Sequence, residues 1–204
     1  MDGLMFYFTS WSLWIYFTFI MRKENPYRLK LAAGILMTII LAGFHVPIRG
    51  IGIDIQAGAL FSLIFSYSFL MGEKKRSIFY FLICSYIVTL GYATFHIVEV
   101  FDPVLVIVKE NWMIAVLSTY LILLLQGTLK GRIILLISGT MQGEILYALI
   151  VERYPFPYQA GSFAYLDVCA LTAALLIGWS CLENARLYFD TYFAYNEKDK
   201  QKTS

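Results

Sequence analysis

Apolar stretches of roughly 16 to 22 residues recur along the 204-residue chain, divided by short clusters of charge, and each is long enough to cross a hydrocarbon layer of ~30 Å as a helix. Seven such spans are predicted, at 3–21, 31–48, 55–71, 77–98, 112–129, 133–151 and 162–182. The runs are continuous and lack the ten-residue alternation of a lipid-facing strand, so a β-barrel is excluded and backbone satisfaction in lipid requires helices. The expected fold is all-α: a polytopic transmembrane helical bundle, one domain over 1–204, with residues 183–204 as a tail. The fifth span is the least sharply bounded, because VLVIV at 104–108 precedes it and is cut off by Lys109 and Glu110. That short run reads as interfacial.

Charge placement gives the orientation. With seven spans, connections one, three and five and the tail together hold thirteen of the sixteen Lys and Arg residues, whereas Arg49, Lys109 and Arg153 fall on the other side. Basic residues accumulate on the cytoplasmic side. The N-terminus is therefore expected outside and the C-terminus in the cytoplasm. Removing or adding one span would scramble the alternation.

Composition agrees with this pattern, since 59% apolar and 15% charged residues lie outside the usual balance of a soluble domain. The net charge of +2 carries no argument for nucleic acid. Cys84, Cys169 and Cys181 all fall within spans, where a thiol behaves as a small apolar group, and no disulfide framework is implied. No basic residue precedes the first apolar run and no small-residue cleavage site follows it, so that run is expected to remain as the first span. After the last span, ENARLYFDTYFAYNEK mixes aromatic and charged residues and reads as a helix along the inner membrane surface, ending in a polar, disordered DKQKTS.

An ionisable group inside a span is costly and normally faces the bundle interior. His45, His96, Glu144 and Asp167 are four such groups, all in the outer halves of their spans, roughly 3 to 10 Å below the outer edge. Small residues share their faces, as expected where membrane helices approach closely. Gly34, Thr38 and Ala42 lead to His45; Ser85, Thr89 and Ala93 lead to His96; Ala170, Ala174 and Gly178 follow Asp167; Gly139 and Gly143 form a GxxxG pair beside Glu144, with Gln142 adjacent. Two readings stay open. Glu144 and Asp167, with Gln142, His45 and His96, line an outward-facing polar pocket for a proton, cation or head group, or else the acids are hydrogen-bonded locks within the bundle. His96 and Glu99 stand at i, i+3, a spacing metal sites use, but the sequence completes no ligand shell, so neither a metal nor a cofactor is expected. The aromatic loop YPFPY at 154–158 is an interface anchor or a partner contact, and the basic cluster Lys74 to Arg76 a topology determinant.

Enzyme signatures are missing: the chain has no HExxH helix, no P-loop, no acidic metal motif of a phospholipid synthase and no Lys inside the seventh span. The opening DGLMFYFTSWSLWIYFTFIMRKENPYRLKLAA, with the length and span order, resembles the YphA family of small membrane proteins from Bacillus and related spore-forming bacteria. The resemblance implies a Gram-positive cytoplasmic or forespore membrane and an association with spore-envelope assembly, and it assigns no functional residues. The expected function is a non-enzymatic structural or assembly factor working with membrane lipids and other membrane or envelope proteins. The alternative is a small-solute or proton-coupled transporter or channel component.

Overall fold

The computed structural model of the chain describes residues 2–48, 53–71, 73–102, 109–152 and 158–202. Its helices are α1 (Leu4–Ile15, continued by a π-helical turn over Tyr16–Ile20), α2 (Tyr27–Leu41), α3 (Ala57–Ser68), α4 (Lys75–Phe101), α5 (Glu110–Leu125), α6 (Leu129–Val151) and α7 (Phe163–Lys202). Three short strands accompany them: β1 (His45–Ile48), β2 (Ile53–Gln56) and β3 (Gln159–Ala160). The protein is thus mostly helical, with a small sheet at one end. Phe8, Phe19, Phe79, Leu124 and Leu182 all point outward, as a lipid-facing surface requires and a water-facing one disfavours.

Two apolar clusters divide the interior. The first joins Phe6 of α1, Ala42 after α2, Ile55 of β2, Ala59 of α3, Tyr92 of α4, Ile114 of α5, Ala148 of α6 and Leu166 of α7. Starts of odd-numbered helices therefore gather with ends of even-numbered ones. The second cluster joins the opposite helix ends, through Leu70, Phe81, Ile122, Leu135 and Leu176. The chain accordingly runs up and down, with a hairpin end carrying the strands and a basic end carrying most Lys and Arg.

Helix α6 is the central element, packed on α4 most extensively and also on α3, α7 and α5. Its residues Gly139 and Gly143 explain that contact: a Cβ at Gly139 would lie 2.7 Å from Val88, and one at Gly143 would lie 2.8 Å from the Tyr92 ring. A polar waist crosses the same interface. Ser85 Oγ donates to Ser138 Oγ at 3.3 Å, and Thr89 Oγ1 donates to the Gly139 carbonyl at 3.0 Å. The N-terminus of α6 is capped by Thr128, whose hydroxyl accepts from the Gly131 N–H at 3.2 Å.

The second and third predicted spans differ most from the observed elements. Helix α2 ends at Leu41, and the chain passes through Ala42 and Gly43 into β1, which pairs antiparallel with β2 in the register His45↔Gln56 and Ile48↔Ile53. Pro47 accounts for the extended backbone of β1, since proline cannot continue a helix and biases the preceding residue towards extended backbone, and the helix itself has already stopped just before Ala42 and Gly43. It sits on an edge strand, where its missing N–H is tolerated. Strand β2 also pairs parallel with β3, placing Asp54 opposite Gln159 and Ile55 opposite Ala160. Gln56, fully buried, donates from its side-chain amide to the Ala42 carbonyl and ties the end of α2 to the start of α3.

Among the described residues, three helices are long and apolar enough to cross a membrane alone: α4, α6 and α7 over Phe163–Arg186. Leu4–Ile20, Ala57–Ser68 and Glu110–Leu125 are shorter apolar helices. The backbone of α7 continues without a break to Lys202, through the segment expected to carry on as a helix after the last span and into the DKQKTS end expected to be disordered. The 104–108 run, Arg49, Arg153 and all of YPFPY except Tyr158 lie outside the described residues.

At the basic end, Arg28 Nε donates to the Phe17 carbonyl at 3.1 Å, Lys30 sits 4.6 Å from the Phe69 ring centre, and Lys130 pairs with Glu73 at 3.1 Å. Arg132 is buried. It donates to the Gln126 carbonyl at 2.8 Å, to Ser180 at 3.1 Å and to both Glu183 oxygens at 2.8 and 3.0 Å, joining α5, α6 and α7.

Candidate functional site

The buried polar groups of the hairpin end converge on Glu144. The bare backbone of Gly143 lets Tyr92 approach α6, and the Tyr92 hydroxyl donates to Glu144 Oε1 at 2.8 Å. On the other oxygen, Tyr158 donates at 2.7 Å and the Gly161 N–H at 3.3 Å. Gly161 has φ +72° and its Cβ position lies 2.6 Å from Ala59, so both backbone conformation and close packing call for glycine in the turn that aims its N–H at the carboxylate. Burial, then the neighbouring Glu144 carboxylate, push the Tyr158 hydroxyl well above its ordinary range, so it stays protonated and acts as donor. Glu144, 2% exposed, lies against a cavity of about 250 Å³.

The cavity opens past His96, Glu99 and Glu110, with Tyr147 on its wall. The His96 ring is held by aromatic contacts, 4.7 Å from Tyr92 and 5.1 Å from Tyr147 between ring centres. His96 Nδ1 lies 3.5 Å from Glu99 Oε2, and buried Nε2 has no hydrogen-bond partner among the described residues. One ligand atom from each of His96, Glu99 and Glu110 falls within 4.8 Å of the others. Helix α4 brings the first two together on one face, and the start of α5 supplies the third.

The other predicted pocket residues lie elsewhere. Asp167 accepts the Gly3 N–H on Oδ2 at 2.7 Å and the Phe6 N–H on Oδ1 at 2.8 Å, so α7 supplies the carboxylate that caps α1. Among the described residues, it is not part of the cavity lining and shares no hydrogen-bond partner with Glu144. Gln142 belongs to the polar waist, bonded to Tyr67 and, at 3.3 Å, to Thr89. His45 is exposed on β1 and pairs with Gln159 of β3, since the helix that would have carried it into the bundle stops four residues earlier. Of the small-residue stripe on α7, Ala170 is buried, whereas Ala174 is exposed and a Cβ at Gly178 would meet nothing within 4 Å. The buried row farther along α7 is Thr172, Leu176 and Ser180, on the opposite side of the helix from Ala174 and Gly178.

The family model described as YphA-like integral membrane protein matches residues 2–202. The chain belongs to that family. It is similar to a protein of Bacillus subtilis (strain 168) named "Uncharacterized protein YphA", at 25% identity over 188 residues covering 90% of each chain. No solved structure matches. Membership in the YphA-like family establishes an integral membrane protein, in agreement with the resemblance carried by the opening segment.

Sequence reasoning did not bring Tyr92, Tyr158 or Glu110 to this site. Tyr92 precedes His96 by one helical turn, a spacing that would have placed it on the same face. Tyr158 and Glu110 arrive across connections, and no local signal marks them. Within this YphA-like chain, the buried role of Arg132 was equally hidden, because its partner Glu183 stands fifty-one positions away.

Proposed function

We propose that the chain is a seven-pass membrane protein, N-terminus outside and C-terminus in the cytoplasm, that serves as a non-enzymatic structural or assembly factor of the bacterial envelope, including that of the spore. The observation that carries the reading is the separate satisfaction of the two acids within spans. Asp167 is consumed by two backbone N–H groups of α1, and Glu144 by two tyrosine hydroxyls and a backbone N–H. A carboxylate relay for solute coupling would favour convergence of the two, whereas locks need only local donors. The up-and-down order of the helices and the gathering of Arg28, Lys30, Lys130 and Arg132 at one end support the topology.

The short third helix fits a full pass. Twelve helical residues rise about 18 Å, and four extended residues of β2 add about 13 Å, together near the ~30 Å of hydrocarbon. Pairing of β2 along its length with β1, and at Asp54 and Ile55 with β3, satisfies much of its backbone where it continues the pass.

Transport is the second reading, favoured by the cavity beside Glu144. A deletion strain separates the two. Defective envelope or spore morphology with unchanged solute uptake is expected, with rescue by the wild-type chain; normal morphology with altered uptake of a defined solute would overturn the proposal in favour of transport.

A further inference from the structure

At the mouth of the cavity, three groups suited to one metal ion meet where two helix ends approach. His96 and Glu99 come from the last two turns of α4, and Glu110 is the first residue of α5. Their ligand atoms lie within 4.8 Å of one another. An ion bonded at about 2.0–2.2 Å separates adjacent tetrahedral ligands by about 3.4 Å, so the 3.5 Å between His96 Nδ1 and Glu99 Oε2 matches that edge, while being longer than a good N–H···O hydrogen bond. Only Glu110, exposed and at a helix start, has to close in.

Three further features point to a cation. The His96 imidazole is 9% exposed and its ring is fixed by Tyr92 and Tyr147, so Nδ1 is held on the side of Glu99. Two carboxylates stand beside it, and a third, Glu144, lies deeper in the same cavity. Among the described residues lining that cavity, none is Lys or Arg. Like charges held this close disfavour joint ionisation unless a cation or a shared proton sits between them.

We propose that His96, Glu99 and Glu110 bind one divalent transition-metal ion, of the zinc or manganese class, that clamps the end of α4 to the start of α5. One imidazole and two carboxylates suit borderline and harder cations, and water completes the shell. The clamp lies between helix ends joined through a connection of their own, so its effect is on local order as well as on global stability. The site stands whether the protein as a whole assembles an envelope or moves a solute.

The test uses the full chain purified in detergent, stripped with EDTA and titrated separately with Zn²⁺ and Mn²⁺. Bound metal per chain and the thermal midpoint are both read. One ion per chain is expected, with a metal-dependent rise in midpoint; Glu99→Gln and Glu110→Gln each weaken binding about tenfold or more. Because Glu110 is exposed, Glu110→Gln leaves the metal-free midpoint near wild type, which separates lost binding from lost folding. Absence of stoichiometric binding of either ion overturns the site, as does binding unchanged in Glu110→Gln. A metal-free midpoint raised by Glu110→Gln, without metal dependence, identifies a shared-proton carboxylate pair instead.

Discussion

Asp167→Ala removes the acceptor for two backbone N–H groups at once. The Gly3 and Phe6 amides donate to Asp167 at 2.7 and 2.8 Å, and the carboxylate is 8% exposed. A buried donor left without a partner costs about 1–3 kcal/mol, so two cost roughly 2–6 kcal/mol if α1 stays in place. Fraying of the first turn lets those groups reach water or head groups and limits the loss towards the ~1–2 kcal/mol of a missing helix cap. Asp167→Asn keeps one carbonyl oxygen and turns an amide donor towards the other N–H, so an intermediate loss is expected. The assay is thermal unfolding of the detergent-solubilised protein, paired with amide hydrogen exchange over the N-terminal peptide. The order wild type, Asp167→Asn, Asp167→Ala is expected in falling midpoint, with accelerated exchange at the start of α1 and unchanged exchange in α6. If Asp167→Ala lowers the midpoint no more than Thr9→Ala, which removes a hydroxyl bonded only within its own helix, the capping argument fails.

Three other perturbations probe the same architecture. Glu144→Gln and Tyr158→Phe each destabilise, and their double-mutant cycle shows a coupling of about 1–2 kcal/mol in unfolding free energy; independent effects would mean that the 2.7 Å bond contributes nothing. Gly139→Ala and Gly143→Ala overpack the α4–α6 contact and cost about 1–3 kcal/mol each. Gly178→Ala meets open space and is neutral or stabilising by up to about 1 kcal/mol, as unfolding midpoints will report. Arg132→Ala, by releasing Gln126, Ser180 and Glu183 together, lowers the midpoint further than Lys130→Ala, which breaks one exposed pair worth ~0–1 kcal/mol.

The helical, membrane-embedded character of the chain is legible in its apolar runs because lipid leaves the backbone few alternatives. The hairpin is less legible. Its strands mix apolar residues with His45, Asp54 and Gln56, and within the second predicted span only Pro47 and Gly43 signal that the run cannot be helical throughout. Local spacing also exposed the face shared by Ser85, Thr89, Ala93 and His96, every one of which is buried. Spacing carries no information about partners on other helices. Asp167 finds its donors more than 160 positions away, and Glu110 reaches the His96–Glu99 face from the next helix. On α7 the small residues Ala174 and Gly178 looked like a packing stripe, but the helix buries its opposite face there, which offers the bulk of Leu176 and the polar contact of Ser180.

Orientation is the claim on which the outward-facing cavity depends, and cysteine accessibility tests it most directly. In a chain with Cys84, Cys169 and Cys181 replaced, single substitutions Glu110→Cys and Glu152→Cys mark the hairpin end, and Lys74→Cys and Lys130→Cys mark the basic end. A membrane-impermeant maleimide applied to intact cells is expected to label positions 110 and 152, and positions 74 and 130 only after permeabilisation. Labelling of 74 or 130 in intact cells, with 110 and 152 protected, would contradict the account.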